Sequence, residues 1–350
     1  MDIVLEICDT VFFDWLYATV LPGSSKMLNS FLRPSDMDAN ATFSGMPAAA
    51  YQYRPATKYI HLQPSEWAYM SVWPRDNVFR QFISMTLMTW FFGLIVYFLC
   101  SSLSYAFLFD KSTFSHPKFL KNQIRQEISQ SVFAHPFMSM LTAPFFVLEA
   151  RGYSKLYDDL HGGPGGWYLW AQFPLFILFT DCLIYFIHRG LHHPILYRRL
   201  HKPHHKWIMP TPYASHAFHP VDGWMQSVPY HLFPFIFPMQ KFFSIAVFVF
   251  VNIWTVFIHD GEYIANSPVI NGAACHTLHH LYFNYNYGQF TTLWDRLGGS
   301  YRKPTDEMFK RETKMTKQVW DEQVKEMETM VKEVEGSDDR SYGPDGKKDQ

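Results

Sequence analysis

Three short stretches of this chain repeat one grammar: His188-Arg189-Gly190-Leu191-His192-His193, His201-Lys202-Pro203-His204-His205 and His276-Thr277-Leu278-His279-His280. Residues three or four apart on a helix share a face, so each stretch can turn two or more imidazoles toward a single point. That is the spacing of metal ligands, and neutral imidazole suits iron, zinc, copper and nickel. His219, within Ser215-His216-Ala217-Phe218-His219-Pro220, and His259, at the end of an apolar run, are additional candidates. Two ions with about five ligands each and an open position would use about as many imidazoles as these, whereas one structural zinc needs four. Burying so many polar rings beside apolar segments is unfavourable unless a shared metal satisfies a nitrogen on each. His61, His116, His135, His161 and His231 stand alone and read as ordinary hydrogen-bonded histidines.

Asp181 is the candidate acid. It precedes His188 by nearly two helical turns, so it lies on the same face one layer deeper, where a carboxylate can orient an imidazole or simply be satisfied by a neighbouring hydroxyl. An ionisable group inside an apolar run is a functional suspect in any case. After the third cluster, Asn286 and Asp295 sit in a glycine-containing stretch. Either can accept a proton from the far nitrogen of a ligand, or cap a helix and build a turn.

The elements that must position these groups are apolar. Gln81 to Phe109 carries no charge and is long enough for a membrane span of about 20 residues. Ser131 to Leu148 is also free of charge, but Pro136 and Pro144 interrupt it, so a kinked span or a re-entrant pair of half helices is expected. Gly162 to Thr180 is uncharged and continues through Asp181 to Ile187, delivering a helix into the first cluster. Trp224 to Gln240 and Phe242 to Ile258 resemble a hairpin in the membrane. So many apolar runs leave too little polar surface for a soluble fold, and the expected class is all-α, a multi-span integral membrane helical bundle with a histidine-rich di-metal cap.

The expected divisions are an N-terminal region, 1–73, proline-interrupted and loosely packed; a membrane-embedded domain, 74–304; and a charged tail, 305–350. The tail is periodic to about Val334, as for an amphipathic helix, and Ser337 to Gln350 reads as disordered. Arg189, Arg198, Arg199, Lys202 and Lys206 place the histidine-bearing loops on the cytosolic side. Lys347-Lys348-Asp349-Gln350 resembles a dilysine retrieval signal of the endoplasmic reticulum, which works on a cytosolic terminus. The acidic opening (Asp2, Glu6, Asp9) lacks the form of a signal peptide, and Asn40-Ala41-Thr42 is a glycosylation sequon of a kind that more often arises by chance.

Composition narrows the function further. Aromatics make up 18% of residues, which points to lipid contact or an apolar substrate. Lys+Arg 30 against Asp+Glu 31 leaves no global field for nucleic acid. Cys8, Cys100, Cys182 and Cys275 are scattered, signalling neither a disulfide framework nor a cysteine zinc site.

The three clusters in this order, with Thr211-Pro212-Tyr213-Ala214-Ser215-His216-Ala217-Phe218-His219-Pro220-Val221-Asp222-Gly223 and the Asn284 to Pro304 ending, resemble the fatty acid hydroxylase and sterol desaturase superfamily, most of all the fungal sterol C5-desaturases. The resemblance covers roughly Trp73 to Pro304. It implies a multi-span endoplasmic reticulum protein whose cytosolic cap holds two non-haem irons, reduced by cytochrome b5 and its NAD(P)H-dependent reductase. The implied reaction uses dioxygen to introduce the C5–C6 double bond of a Δ7-sterol such as episterol, on the route to ergosterol. The implied ligands are His188, His192, His193, His201, His204, His205, His276, His279 and His280; Cys275 receives no ligand role.

Chemistry agrees with that implication. Oxidising an unactivated C–H bond requires a redox-active metal, which zinc is not. The sterol must arrive from lipid through an apolar pocket, for which Tyr185, Phe186, Phe218, Trp224 and Phe283 are candidate walls. The alternatives are a sterol 4-methyl oxidase or fatty acid hydroxylase on the same scaffold, a membrane metal transporter, and a structural zinc scaffold. Clusters in basic loops, without visible repeats, speak against the transporter.

Overall fold

A computed structural model describes residues 1–23, 53–161, 163–261, 263, 266–310 and 316–342. The sequon at Asn40, Pro34 and Pro47 of the N-terminal region, and the terminal lysines Lys347 and Lys348 lie outside the described residues.

The chain opens with α1 (Asp2–Cys8), which runs through a π-turn at Asp9–Phe13 into α2 (Asp14–Val20). The loose packing expected of the N-terminal region therefore fails for its first twenty residues. Leu5, Phe13 and Tyr17 pack against Met85, Met88 and Phe146. The acids of the π-turn and α2 are paired, Arg80 reaching Asp9 at 2.8 Å and Asp14 at 2.7 Å, and Arg75 donating to Asp14 at 3.0 and 2.5 Å. Buried charges are tolerated only when paired in this way.

Among the described residues, three helices are long and apolar enough to cross a membrane: α3 (Val78–Phe107), α4 (Gln123–Ala150) and α5 (Tyr168–Leu191). Asn77 caps α3 by accepting from the amides of Phe79 and Arg80, and Phe79, Phe91, Leu99 and Phe107 are left exposed for lipid. Pro136 and Pro144 do not split α4, which is one continuous helix rather than two half helices. It lies along α3, and such neighbours are what let membrane helices absorb proline.

Past α5 the chain forms α6 (Pro194–Leu196), a π-turn at Tyr197–His201 and α7 (Lys202–His205), which carry the second histidine cluster. The expected hairpin is α8 (Pro220–Ile236) followed by α9 (Lys241–Phe257), joined through Met239–Gln240, which pairs in parallel with Leu156–Tyr157. The third cluster lies on α10 (Ala273–Tyr282), buried along its whole length. It ends at Phe283 with a positive φ of 58°, a strained conformation for a bulky residue. The loop beyond it leads to the short α11 (Leu293–Gly298), and α12 (Lys317–Val334) packs Met327 and Val331 against Leu278 and Leu281 of α10.

From Ser337 to Tyr342, the last described residue, the tail is ordered, contrary to expectation, because it is clasped. Arg340 donates to Glu335 at 2.7 Å and to the carbonyl of His205 at 2.9 Å. Tyr197 donates to Glu335 at 2.8 Å, and Lys202 bonds Asp339 at 2.9 Å.

Asp181 does not face an imidazole. Its carboxylate receives the amides of Gln289 (2.9 Å), Phe290 (2.7 Å) and Thr291 (3.1 Å) and the Thr291 hydroxyl (2.5 Å), tying α5 to the loop after α10. Four donors converging on one acceptor explain why an acid is needed inside an apolar helix. Asp181→Asn turns one acceptor oxygen into a donor facing donors, and should lower stability by about 1.5–3 kcal/mol. The check is thermal unfolding of the detergent-solubilised protein, where an unchanged midpoint would reject this anchoring role.

Candidate active site

The ends of α5, α9 and α10, with α7 and the turn before it, bring nine imidazoles together in two neighbouring groups. His188, His192, His201, His205 and His279 form one; His204, His259, His276 and His280 form the other, and within each group one ligand nitrogen per residue lies within 4.8 Å of the rest. The groups adjoin through His205 and His280, whose ring centroids are 5.1 Å apart. Two residues of the sequence reading stay outside. His193 is exposed at the N-terminus of α6, because the turn after Leu191 rotates it away. His219 caps α8 by accepting from the Val221 amide at 3.3 Å, which occupies its Nδ1. His259, which the three clusters alone do not include, takes its place in the second group.

Hydrogen bonds aim these rings. His188 Nδ1 donates to the Tyr287 carbonyl at 2.9 Å, His279 Nδ1 to the Tyr285 carbonyl at 2.7 Å and His259 Nδ1 to the Thr255 carbonyl at 2.7 Å. His201 Nδ1 lies 2.8 Å from the Asp222 carboxylate. A carbonyl or carboxylate only accepts, so each of these rings carries its proton on Nδ1 and turns a bare Nε2 inward. Sequence reasoning missed Asp222, although it lies in the quoted Pro220-Val221-Asp222-Gly223 stretch. Asn286 and Asp295 serve elsewhere. Asn286 bonds Cys275 and Arg302, and Asp295 receives the Tyr287 and Gly288 amides at 2.8 Å each, shaping the loop that supplies the carbonyls.

The consequence is testable on geometry. The bare Nε2 atoms of His188 and His201 face each other at 3.1 Å, and the bare Nε2 of His259 lies 2.9 Å from Nε2 of His276. Opposed lone pairs repel unless a cation lies between them, and ligand nitrogens about 2.1 Å from a common ion at right angles sit about 3 Å apart. Ring nitrogens of His192, His204, His205, His279 and His280 have no partner among the described residues. Burial, reinforced by neighbouring imidazoles, holds His204, His205, His276, His279 and His280 well below the usual histidine range, which keeps them neutral and able to ligate. Burial likewise pushes the Cys275 thiol up to about 12, and this cysteine is in neither group. The residues fit a pair of metal ions.

An apolar cavity opens beside both groups. His188, His204, His259 and His276 line one end, Phe146, Phe176, Met239 and Val247 its length, and Met1, Glu149 and His231 the other. His135 and Glu149, both on α4 and both lining it, stand about 21 Å apart at about 1.5 Å of rise per residue. Of the five aromatic walls expected, only Phe218 lines the cavity. Tyr185 holds Arg189 and Ser300, Phe283 packs under His205, Phe186 is exposed, and Trp224 is not in the lining.

Membrane-length helices, an apolar cavity and paired imidazole groups at its end define a membrane-bound oxidoreductase acting on an apolar substrate, and the Fatty acid hydroxylase family matches residues 173–300. Similarity extends much further than that segment. The chain is 59% identical to a Delta(7)-sterol 5(6)-desaturase of Leptosphaeria maculans over 99% of both chains. It is 62% identical to one of Aspergillus fumigatus over 98% of this chain and 97% of that one, and 48% identical to one of Candida albicans over 98% and 99%. The chain belongs to the Delta(7)-sterol 5(6)-desaturase family. No solved structure matches it.

Two substitutions test the grouping. His192→Ala should lower the metal content per chain while His193→Ala leaves it unchanged; equal losses would reject the assignment. Asp222→Asn should weaken metal retention about 10–100-fold, measured by competition with a chelator.

Proposed function

We propose that the protein introduces the C5–C6 double bond into a Δ7-sterol of the episterol type, on the route to ergosterol. Dioxygen is the oxidant, two non-haem irons sit in the two histidine groups, and cytochrome b5 with its NAD(P)H-dependent reductase is the electron source. The observation that carries this reading is the meeting of nine imidazoles with the end of a long apolar cavity, in a chain similar over its whole length to proteins named for this reaction. The sterol loses two hydrogens, the donor gives two electrons, and with two protons from water one dioxygen becomes two waters.

The bound metal pair would supply dioxygen activation; the chain's own residues do the rest. Nine imidazoles hold the pair without adding charge, and the carbonyls of Thr255, Tyr285 and Tyr287, with Asp222, keep four of those rings in one orientation. A five-nitrogen group exceeds the four ligands of a closed structural zinc, which favours iron. The cavity walls exclude water and hold the rigid sterol lengthwise. The endoplasmic reticulum membrane is the proposed setting, with the histidine end and the C-terminus in the cytosol. Exposed Arg198 and Arg199, beside the second cluster, support a cytosolic face open to an acidic electron carrier.

Turnover with defined sterols is the test. A Δ7-sterol should give a conjugated 5,7-diene, visible by its ultraviolet absorption and dependent on iron, dioxygen and the reduced carrier. Hydroxylated or 4-demethylated product instead would assign a different reaction on the same scaffold.

A further inference from the structure

The cavity lining is mostly apolar, and a few of its side chains leave polar atoms bare. His135 is buried and lines the cavity. Its Nδ1 lies 2.7 Å from the Ser131 carbonyl and so carries the proton. In the uncharged ring Nε2 is then a bare acceptor, and it has no partner among the described residues. Space is kept open beside it by Gly93, where a Cβ would lie 3.4 Å from the ring Cδ2 and 3.8 Å from Nε2. One turn before Gly93 on α3, Thr89 also lines the cavity, and its buried hydroxyl has no partner either.

Four other polar residues of the lining already have partners. Asn252 donates to the Phe248 carbonyl at 2.7 Å, which turns its oxygen toward His216 Nε2 at 3.1 Å, and His216 Nδ1 faces the Ser215 hydroxyl at 3.0 Å. Gln289 donates to Thr255, and Gln226 to Asp222. Unpaired buried polar atoms are rare, and a matched acceptor and hydroxyl in one cavity imply a ligand with a hydroxyl of its own.

We propose that His135 Nε2 accepts a hydrogen bond from the 3-hydroxyl of the sterol, with Thr89 donating to the same oxygen, and that this contact selects which edge of the ring system meets the histidines. The inference rests on the sterol reading above. C3 is two bonds from C5 in the same ring, so the hydroxyl must bind close to the metal groups, not at the Glu149 end. His135 meets that condition. Its ring lies 5.2 Å from that of His216, which bonds Asn252, and Asn252 precedes His259 by two turns of α9, about 10 Å. The cavity beyond, toward Glu149, is left for the alkyl side chain.

The experiment compares a 3β-hydroxy-Δ7-sterol with its 3-methyl ether in the wild type, His135→Leu and Thr89→Val. The ether cannot donate. Wild type should prefer the free alcohol by roughly tenfold or more in kcat/KM. His135→Leu should lose that preference through slower turnover of the alcohol, with metal content unchanged, and Thr89→Val should reduce it. Equilibrium displacement of a fluorescent 3-hydroxysterol by each compound, on anaerobic, unreduced wild type and variants, makes the same comparison without catalysis. A wild type that does not distinguish the two sterols, or a His135→Leu variant that distinguishes them undiminished, overturns the proposal. Loss of C5 oxidation of both sterols by wild type, with the binding preference intact, would instead overturn the reaction assigned above.

Discussion

Uncharged imidazole nitrogens facing one another at about 3 Å form the constraint from which the architecture around α5, α7 and α10 follows. Protonating the rings would put several positive charges in a buried space, and leaving them neutral opposes the lone pairs of His188 and His201, a conflict that a shared cation removes. Every nearby element is consistent with presenting those nitrogens while keeping the rings dry: α10 is buried on all sides, Phe283 accepts a strained backbone beneath His205, and Phe218 stacks on His204 at 4.2 Å.

Support for the rings comes mostly from main chain. Three of the four hydrogen bonds that fix the inward nitrogen end on carbonyl oxygens, two of them in the loop after α10. That loop is shaped in turn by carboxylates that touch no histidine, Asp181 through the amides of 289–291 and Asp295 through those of Tyr287 and Gly288. The acids act on the metal groups at one remove, by setting backbone that sets imidazoles.

This arrangement explains what the sequence could and could not disclose. Spacing of three and four residues made the clusters legible, and charge-free runs made α3 and α5 legible, because both signals are local. His193 looked equivalent to its neighbours in spacing, yet the break in the helix after Leu191 turns it outward. Asp181 looked like a partner for His188 because both share a helical face, but its true partners lie more than a hundred residues away, in a loop whose path no local pattern encodes. The same holds for Asp222 and for the N-terminal segment, where Asp9 and Asp14 are reconciled with burial by arginines beyond residue 70. Local periodicity finds side chains that share a face; it is silent on who stands opposite.

The clasp by which Arg340 holds the His205 carbonyl has a bearing on how the protein is made. Arg340 follows every histidine in the order of synthesis, so all the helices that enter the bilayer are translated before the segment that pins the second cluster is available. Until then the α7 turn lacks its outer brace. Maturation thus has a natural order, with insertion into lipid first and completion of the ion-holding end after the tail has folded back across it.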